Sequence, residues 1–141
     1  MSEQQQIGQH TVGFEAPLFT IRAGGDLTPA DVRGIARFMN ERAAGLPYVM
    51  MLGDVRRLGA IPPETRKETL KVGGKLSYGG IATFGATFQV RILTKLILGA
   101  AKLLIGRGSV PIRYFDTEAE ARAWLLEGMR EIAEAQPVAA E

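Results

Sequence analysis

Apolar residues recur along this chain at two spacings, one near two residues and one near 3.6, and the alternation predicts strands and helices in turn. Gln9 to Glu15 and Leu18 to Arg22 read as strands joined at Ala16-Pro17. So tight a connection makes them antiparallel neighbours. Gly24-Gly25-Asp26 ends the pair, and Thr28-Pro29-Ala30-Asp31 starts a helix. Thr28 can cap it, Pro29 suits its first position, and Asp31 favours the positive end of the helix dipole. Val32, Ile35, Met39 and Ala43 supply its apolar side, and it stops at Gly45, where a left-handed residue costs little, with Pro47 preventing continuation. Tyr48 to Leu52 is apolar on both faces, which predicts a strand buried inside a sheet. The loop from Gly53 to Leu58 follows it, and Pro62-Pro63-Glu64 then opens a short polar helix that Gly73-Gly74 closes.

The second half is organised around one long apolar segment. Phe88 to Ile105, FQVRILTKLILGAAKLLI, lies between two short strands, Gly80 to Gly85 and Val110 to Phe115. At about 100° per residue, Arg91, Lys95 and Lys102 fall within roughly 40° of one another, and the rest of the circumference is apolar or small. One sheet face covers only about half of a helix about 10 Å across, so Leu93, Leu96, Leu98, Leu103 and Leu104 cannot all be hidden by the sheet. Thr117 and Glu120 then form a capping box for a last helix. Its buried stripe is Ala121, Trp124, Leu125, Met129 and Ile132, and its exposed side is acidic, with Glu118, Glu120, Glu127, Glu131 and Glu134. The predicted order is β-β-α-β-α-β-α-β-α. This is an α/β fold with a single mixed, mostly parallel sheet of about five strands and four helices. Residues 1–8 and 136–141 are expected to be flexible ends of one domain spanning 9–135.

Composition changes this picture little, but the placement of charge adds to it. Apolar residues make up 46% and charged residues 23%, as in a globular protein. From Val55 to Tyr114 there are eleven Lys or Arg against two acids, while the remainder carries six bases and thirteen acids. The middle is basic and the ends are acidic. No cationic segment followed by an apolar run occurs at the start, and three cations inside Phe88 to Ile105 make a membrane span expensive, at about 2.5 to 3.5 kcal/mol each. A cytoplasmic location is expected.

No group of residues has the specificity of an active site. Cysteine is absent, and His10 is the only histidine, so neither a thiolate nor an ordinary triad is available. No clustered ligands suggest a metal. Gly73-Gly74-Lys75-Leu76-Ser77 fails as a phosphate loop because Thr69 stands where its first Gly is required, and Gly106-Arg107-Gly108 fails as a dinucleotide loop because of Pro111. The expectation is a non-enzyme without cofactors. Asp54 and Asp116 each end a predicted parallel strand, the edge where open α/β sheets place ligands. The basic run from Arg56 and Arg57 to Lys75 suits an acidic protein or an anionic membrane surface. Nucleic acid is disfavoured, since Tyr78 is the only aromatic nearby.

GGDLTPADV (Gly24 to Val32), YVMMLGD (Tyr48 to Asp54), GIATFG and VPIRYFDTEAEARAWL (Val110 to Leu125) together resemble the STAS family. The resemblance is to its small bacterial SpoIIAA-like proteins, grouped with CRAL-TRIO lipid carriers, and it spans roughly Val12 to Leu126. It implies a small α/β domain that acts by binding. Anti-sigma antagonists of this fold switch a partner through a phosphorylated Ser in an Asp-Ser context after the third strand. The loop here, GDVRRLGAIPPETRK, has no Ser, and Thr65 is the only hydroxyl nearby, so that switch is not carried over.

The expected function is a regulatory interaction module that forms a homodimer through the long helix and meets a protein partner at the basic loop. The alternative is a carrier or sensor of an apolar, lipid-like ligand, or a peripheral binder of anionic membrane, with the same helix as a lid. The residues expected to contact ligand or partner are Asp54, Arg56, Arg57, Thr83, Thr87, Arg91, Lys95, Leu96, Lys102 and Leu103.

Overall fold

The computed structural model describes residues 3–72, 76–92, 95 and 111–135. Its strands are β1 (Glu3–Ile7), β2 (His10–Glu15), β3 (Leu18–Arg22), β4 (Val49–Asp54), β5 (Tyr78–Phe84) and β6 (Ile112–Phe115), and its helices are α1 (Pro29–Ala43), α2 (Pro63–Val72) and α3 (Glu118–Ala135). Residues 88–92 are also helical. The strands form one sheet in sequential order, antiparallel from β1 to β3 and parallel from β3 to β6. This is the mixed α/β architecture that the apolar pattern predicts.

The sheet has six strands where the pattern predicts about five, because Glu3–Ile7 pairs with β2 from Glu3 opposite Phe14 to Ile7 opposite His10. The sequence reading placed these residues in a flexible end spanning 1–8. Four of the five residues of β1 are exposed, so this edge strand has no buried side to mark it by alternation. Residues 136–141 and most of Phe88 to Ile105 lie outside the described residues.

α1 starts as its sequence predicts. The Asp31 N–H donates to Thr28 Oγ1 at 3.1 Å, and the Thr28 N–H donates to Asp31 Oδ2 at 3.0 Å. Past its end Gly45 takes φ +85°, the left-handed region that glycine enters without penalty. Val32, Phe38, Met39 and Ala43 are buried on α1. Phe38 and Met39 join Val12, Phe19 and Val49 in the core on this face of the sheet, where Phe19 lies between Phe14 at 4.5 Å and Phe38 at 6.1 Å. α3 covers the other face, with Ala121 and Leu125 on Met50, Leu52, Ala82 and Phe84. Full burial of each large apolar side chain stabilises the fold by about 1.5 to 3 kcal/mol. β4 contributes to both cores, as expected of a strand apolar on both faces. At the start of α3 the Glu120 N–H donates to Thr117 Oγ1, but the Glu120 carboxylate accepts from the Thr117 hydroxyl and not from its backbone N–H.

Candidate functional site

Parallel pairing of β3 with β4 sets Arg22 beside Asp54, the last residues of their strands. Their carboxyl ends, with the start of β2, surround a cleft of about 490 Å3 lined by Gln9, Thr11, Arg22, Ala23, Gly24, Asp54, Arg56 and Arg57. Two loops wall it, and hydrogen bonds zip them together: the Gly59 N–H donates to the Gly25 carbonyl, the Leu27 N–H to the Ala60 carbonyl, and the Ala60 N–H to Asp26 Oδ1.

Asp54 is the centre of the charged cluster. It is 6% exposed. Its Oδ1 accepts from the Arg56 backbone N–H at 3.2 Å and from Arg56 Nε at 3.0 Å, and its Oδ2 accepts from Arg56 Nη2 at 2.8 Å and Arg22 Nη1 at 3.2 Å. The backbone bond to the second residue on is a turn that Asp favours. The guanidinium bonds from Arg56, against the opposing effect of burial, hold the Asp54 carboxyl below its ordinary range. The Arg56 stem crosses Gly85, where a Cβ would lie 2.1 Å from Arg56 Cγ and where φ is +78°. Glycine is therefore required there on two grounds.

Arg22 also reaches α3. Its Nη1 and Nη2 donate to Glu118 at 3.1 and 3.0 Å, a bidentate pair that Arg122 extends through Nε at 2.7 Å. Glu118 is thus not on a freely solvated acidic side, as the pattern of α3 suggests, but inside this network. The bonds from Arg22, then those from Arg122, lower its pKa from the ordinary 4.5 to about 2. A carboxylate shifted downward by folding stabilises the protein above its unfolded pKa and stops doing so as pH falls through the folded value. Glu118→Gln should therefore cost about 1 kcal/mol at pH 7, after allowance for screening at this half-exposed pair. The difference from wild type should close between pH 4.5 and pH 2 in chemical melts. A deficit unchanged down to pH 2 would contradict the network.

The single histidine serves the same edge structurally. His10 is buried, its Nδ1 accepts from the Gly24 N–H at 3.1 Å, and its Nε2 lies 3.1 Å from both Asp31 Oδ2 and the Asp26 carbonyl. An accepting Nδ1 leaves the proton on Nε2. The ring thereby ties β2 to the loop before α1 and to the cap of α1. Burial alone would raise Asp31, but the bonds from Thr28, with those from His10, outweigh it and hold the carboxyl below its ordinary range.

The remaining expected residues are dispersed. Arg57 is exposed at the cleft. Thr83 is 6% exposed on β5, beside Tyr114 of β6, and its hydroxyl has no hydrogen-bond partner among the described residues. Thr87 caps the helical residues 88–92 by accepting from the Val90 N–H at 3.2 Å. Arg91 and Lys95 both lean over the Tyr114 ring, at 5.4 and 5.7 Å. Phe88 and Ile92 are 70% and 47% exposed. Leu96, Lys102 and Leu103 lie outside the described residues. Asp116, the other carboxylate at a strand end, is 92% exposed in its side chain and approaches Arg91 only to 3.9 Å, so it does not join the cluster. Thr65 is buried in α2 with its hydroxyl donating to the Leu27 carbonyl at 2.8 Å, a structural bond.

Sequence reasoning missed Arg22, Glu118, Gln9 and Thr11. Thr11 reaches this edge through the β2–β3 pairing, opposite Arg22, while the β3–β4 register and the packing of α3 bring Arg22 and Glu118 to the cluster, and no local motif encodes these last two.

No helix of the described residues is long and apolar enough to cross a membrane. A search of curated proteins finds no match. Among solved structures, an uncharacterized protein from the DUF3478 family of Shewanella loihica PV-4, with a SpoIIAA-like fold, superimposes with a TM-score of 0.58 at 18% identity, covering 89% of this chain and 92% of its own. At that identity the likeness speaks for the fold. The SpoIIAA-like family pattern matches residues 18–126, from β3 through the first half of α3 and including Asp54, Arg56 and Glu118 of the charged cluster, and the chain belongs to the SpoIIAA-like family.

Proposed function

We propose that this chain is a non-catalytic regulatory module that acts by binding and self-associates through the helix beginning at Phe88. Membership of the SpoIIAA-like family supports an interaction module at a coarse level. The commitment of His10 to three structural hydrogen bonds supports a non-catalytic role.

The observation that carries self-association is the orientation of residues 88–92. Their apolar pair Phe88 and Ile92, one turn apart, is exposed, while the cations Arg91 and Lys95 lean on Tyr114. An ordinary surface helix does the reverse. The apolar sequence continues to Ile105. Adjacent large apolar side chains left in water favour an interface.

Wild type should run as a dimer in light scattering at tens of micromolar, and Phe88→Glu with Ile92→Glu should run as a folded monomer. A wild type monomeric across that range would overturn the reading.

A second reading, binding of anionic membrane or an apolar ligand, is favoured by the exposure of Arg56, Arg57 and Lys95, with Arg56 and Phe88 following the carboxyl ends of the parallel strands β4 and β5. Organic extraction of purified protein followed by mass spectrometry distinguishes the two. A stoichiometric acyl chain favours the carrier, and a clean extract from a dimer favours the module.

A further inference from the structure

The cleft holds cationic bonding capacity that the fold does not use. Among the described residues, the Arg57 guanidinium has no hydrogen-bond or ion-pair partner, and Arg56 engages Asp54 through Nε and Nη2 while Nη1 has none. Asp54 does not act as a free anion there, because four N–H donors occupy its two oxygens and it is buried. It neutralises one charge and fixes the direction of Arg56. The lining then carries three guanidiniums against one carboxylate.

We propose that this cleft is a binding site for a phosphate-type oxyanion, held by Arg56 and Arg57, with Asp54 as the positioning residue for Arg56. The physical case rests on match of charge, shape and size. The Arg57 fork and the unused Nη1 of Arg56 suit the oxygens of a phosphate, and the lining attracts its negative charge although Glu118 also pairs with Arg22. A volume of about 490 Å3 suits a small molecule or a headgroup. The lining has no aromatic side chain on which a nucleobase could stack, and Ala23 is its only apolar side chain. The phosphate could belong to a soluble ester or to a phospholipid headgroup. The site deepens the binding role proposed above, yet it stands apart from the seam at Phe88.

The test uses the full chain labelled with nitrogen-15 and titrated with inorganic phosphate at low salt. Saturable shifts are expected at the amides of Gly24, Arg56 and Arg57 and at the Arg56 Nε–H. Arg57→Gln, which removes no bond among the described residues, should weaken binding at least tenfold. Asp54→Asn should weaken it several-fold and abolish the response of the Arg56 Nε–H, a readout that a loss of stability alone would not produce in a protein still folded by its amide spectrum. Sedimentation with vesicles containing phosphatidic acid, whose headgroup is a phosphate monoester, separates the sources. Vesicle binding lost in Arg57→Gln assigns a lipid headgroup, and phosphate shifts without vesicle binding assign a soluble ester. Absence of saturable shifts at tens of millimolar phosphate, or shifts indifferent to Arg57→Gln, overturns the site even if vesicles bind. Phe88→Glu with Ile92→Glu should retain the phosphate shifts, so failure of self-association and failure of the cleft are read separately.

Discussion

His10→Ala is expected to lower folding stability by about 3 to 4 kcal/mol, the largest single effect anticipated for a polar residue of this protein. The ring is fully buried, so its removal leaves a cavity beside β2. It also strips the Gly24 N–H of its acceptor and removes the Nε2 donor shared by Asp31 and the Asp26 carbonyl. A buried donor left without a partner costs about 1 to 3 kcal/mol in addition to the lost packing. At roughly 2 to 4 °C per kcal/mol for a chain of this size, the melting temperature should fall by about 10 °C. Phosphate binding should weaken in parallel, since Gly24 lines the cleft. Urea melts showing a loss below about 1 kcal/mol would mean that the ring does not hold the loop before α1.

Asp54→Ala is expected to cost about 2 to 3 kcal/mol. Breaking a buried pair can cost more, but here the side chains of Arg22 and Arg56 are 35% and 62% exposed and can recover water, and Arg22 retains Glu118. The value follows from losing hydrogen bonds to a charged group and the turn held by the Arg56 N–H. Combining Asp54→Ala with Arg22→Met should be less than additive, because the second change removes a guanidinium that the first has already deprived of a partner. Strict additivity in a double-mutant cycle would show that Arg22 and Asp54 are neighbours without being coupled.

Much of the fold is legible in local sequence. The α1 start at Thr28-Pro29-Ala30-Asp31 and its end at Gly45 are written in capping chemistry that operates within a few residues, and the structure has both. β4 is recognisable because a strand covered on both faces must be apolar on both. β1 was not, because four of its five residues face water and nothing in EQQQI distinguishes an exposed edge strand from a loose end. The same contrast runs through the site. Asp54, Arg56 and Arg57 could be singled out from their place after an apolar strand, but the reason Asp54 matters could not.

What the sequence determined by itself is therefore what depends on near neighbours: the alternation of strands and helices, the caps, the stripe of α3 and the concentration of positive charge between Val55 and Tyr114. What only the tertiary structure decided is which charges meet. Arg22 and Asp54 are 32 residues apart, and Arg22 and Glu118 are 96 apart. They are joined because β3 and β4 run parallel with their last residues in register and because α3 begins beside that edge. Register is set by packing of whole faces against α1 and α3, a sum over many apolar contacts that no single stretch of sequence carries. For the same reason the basic middle of the chain divides in the folded protein into cations bonded to carboxylates, such as Arg56 on Asp54, and cations without a partner among the described residues, such as Arg57 at the cleft.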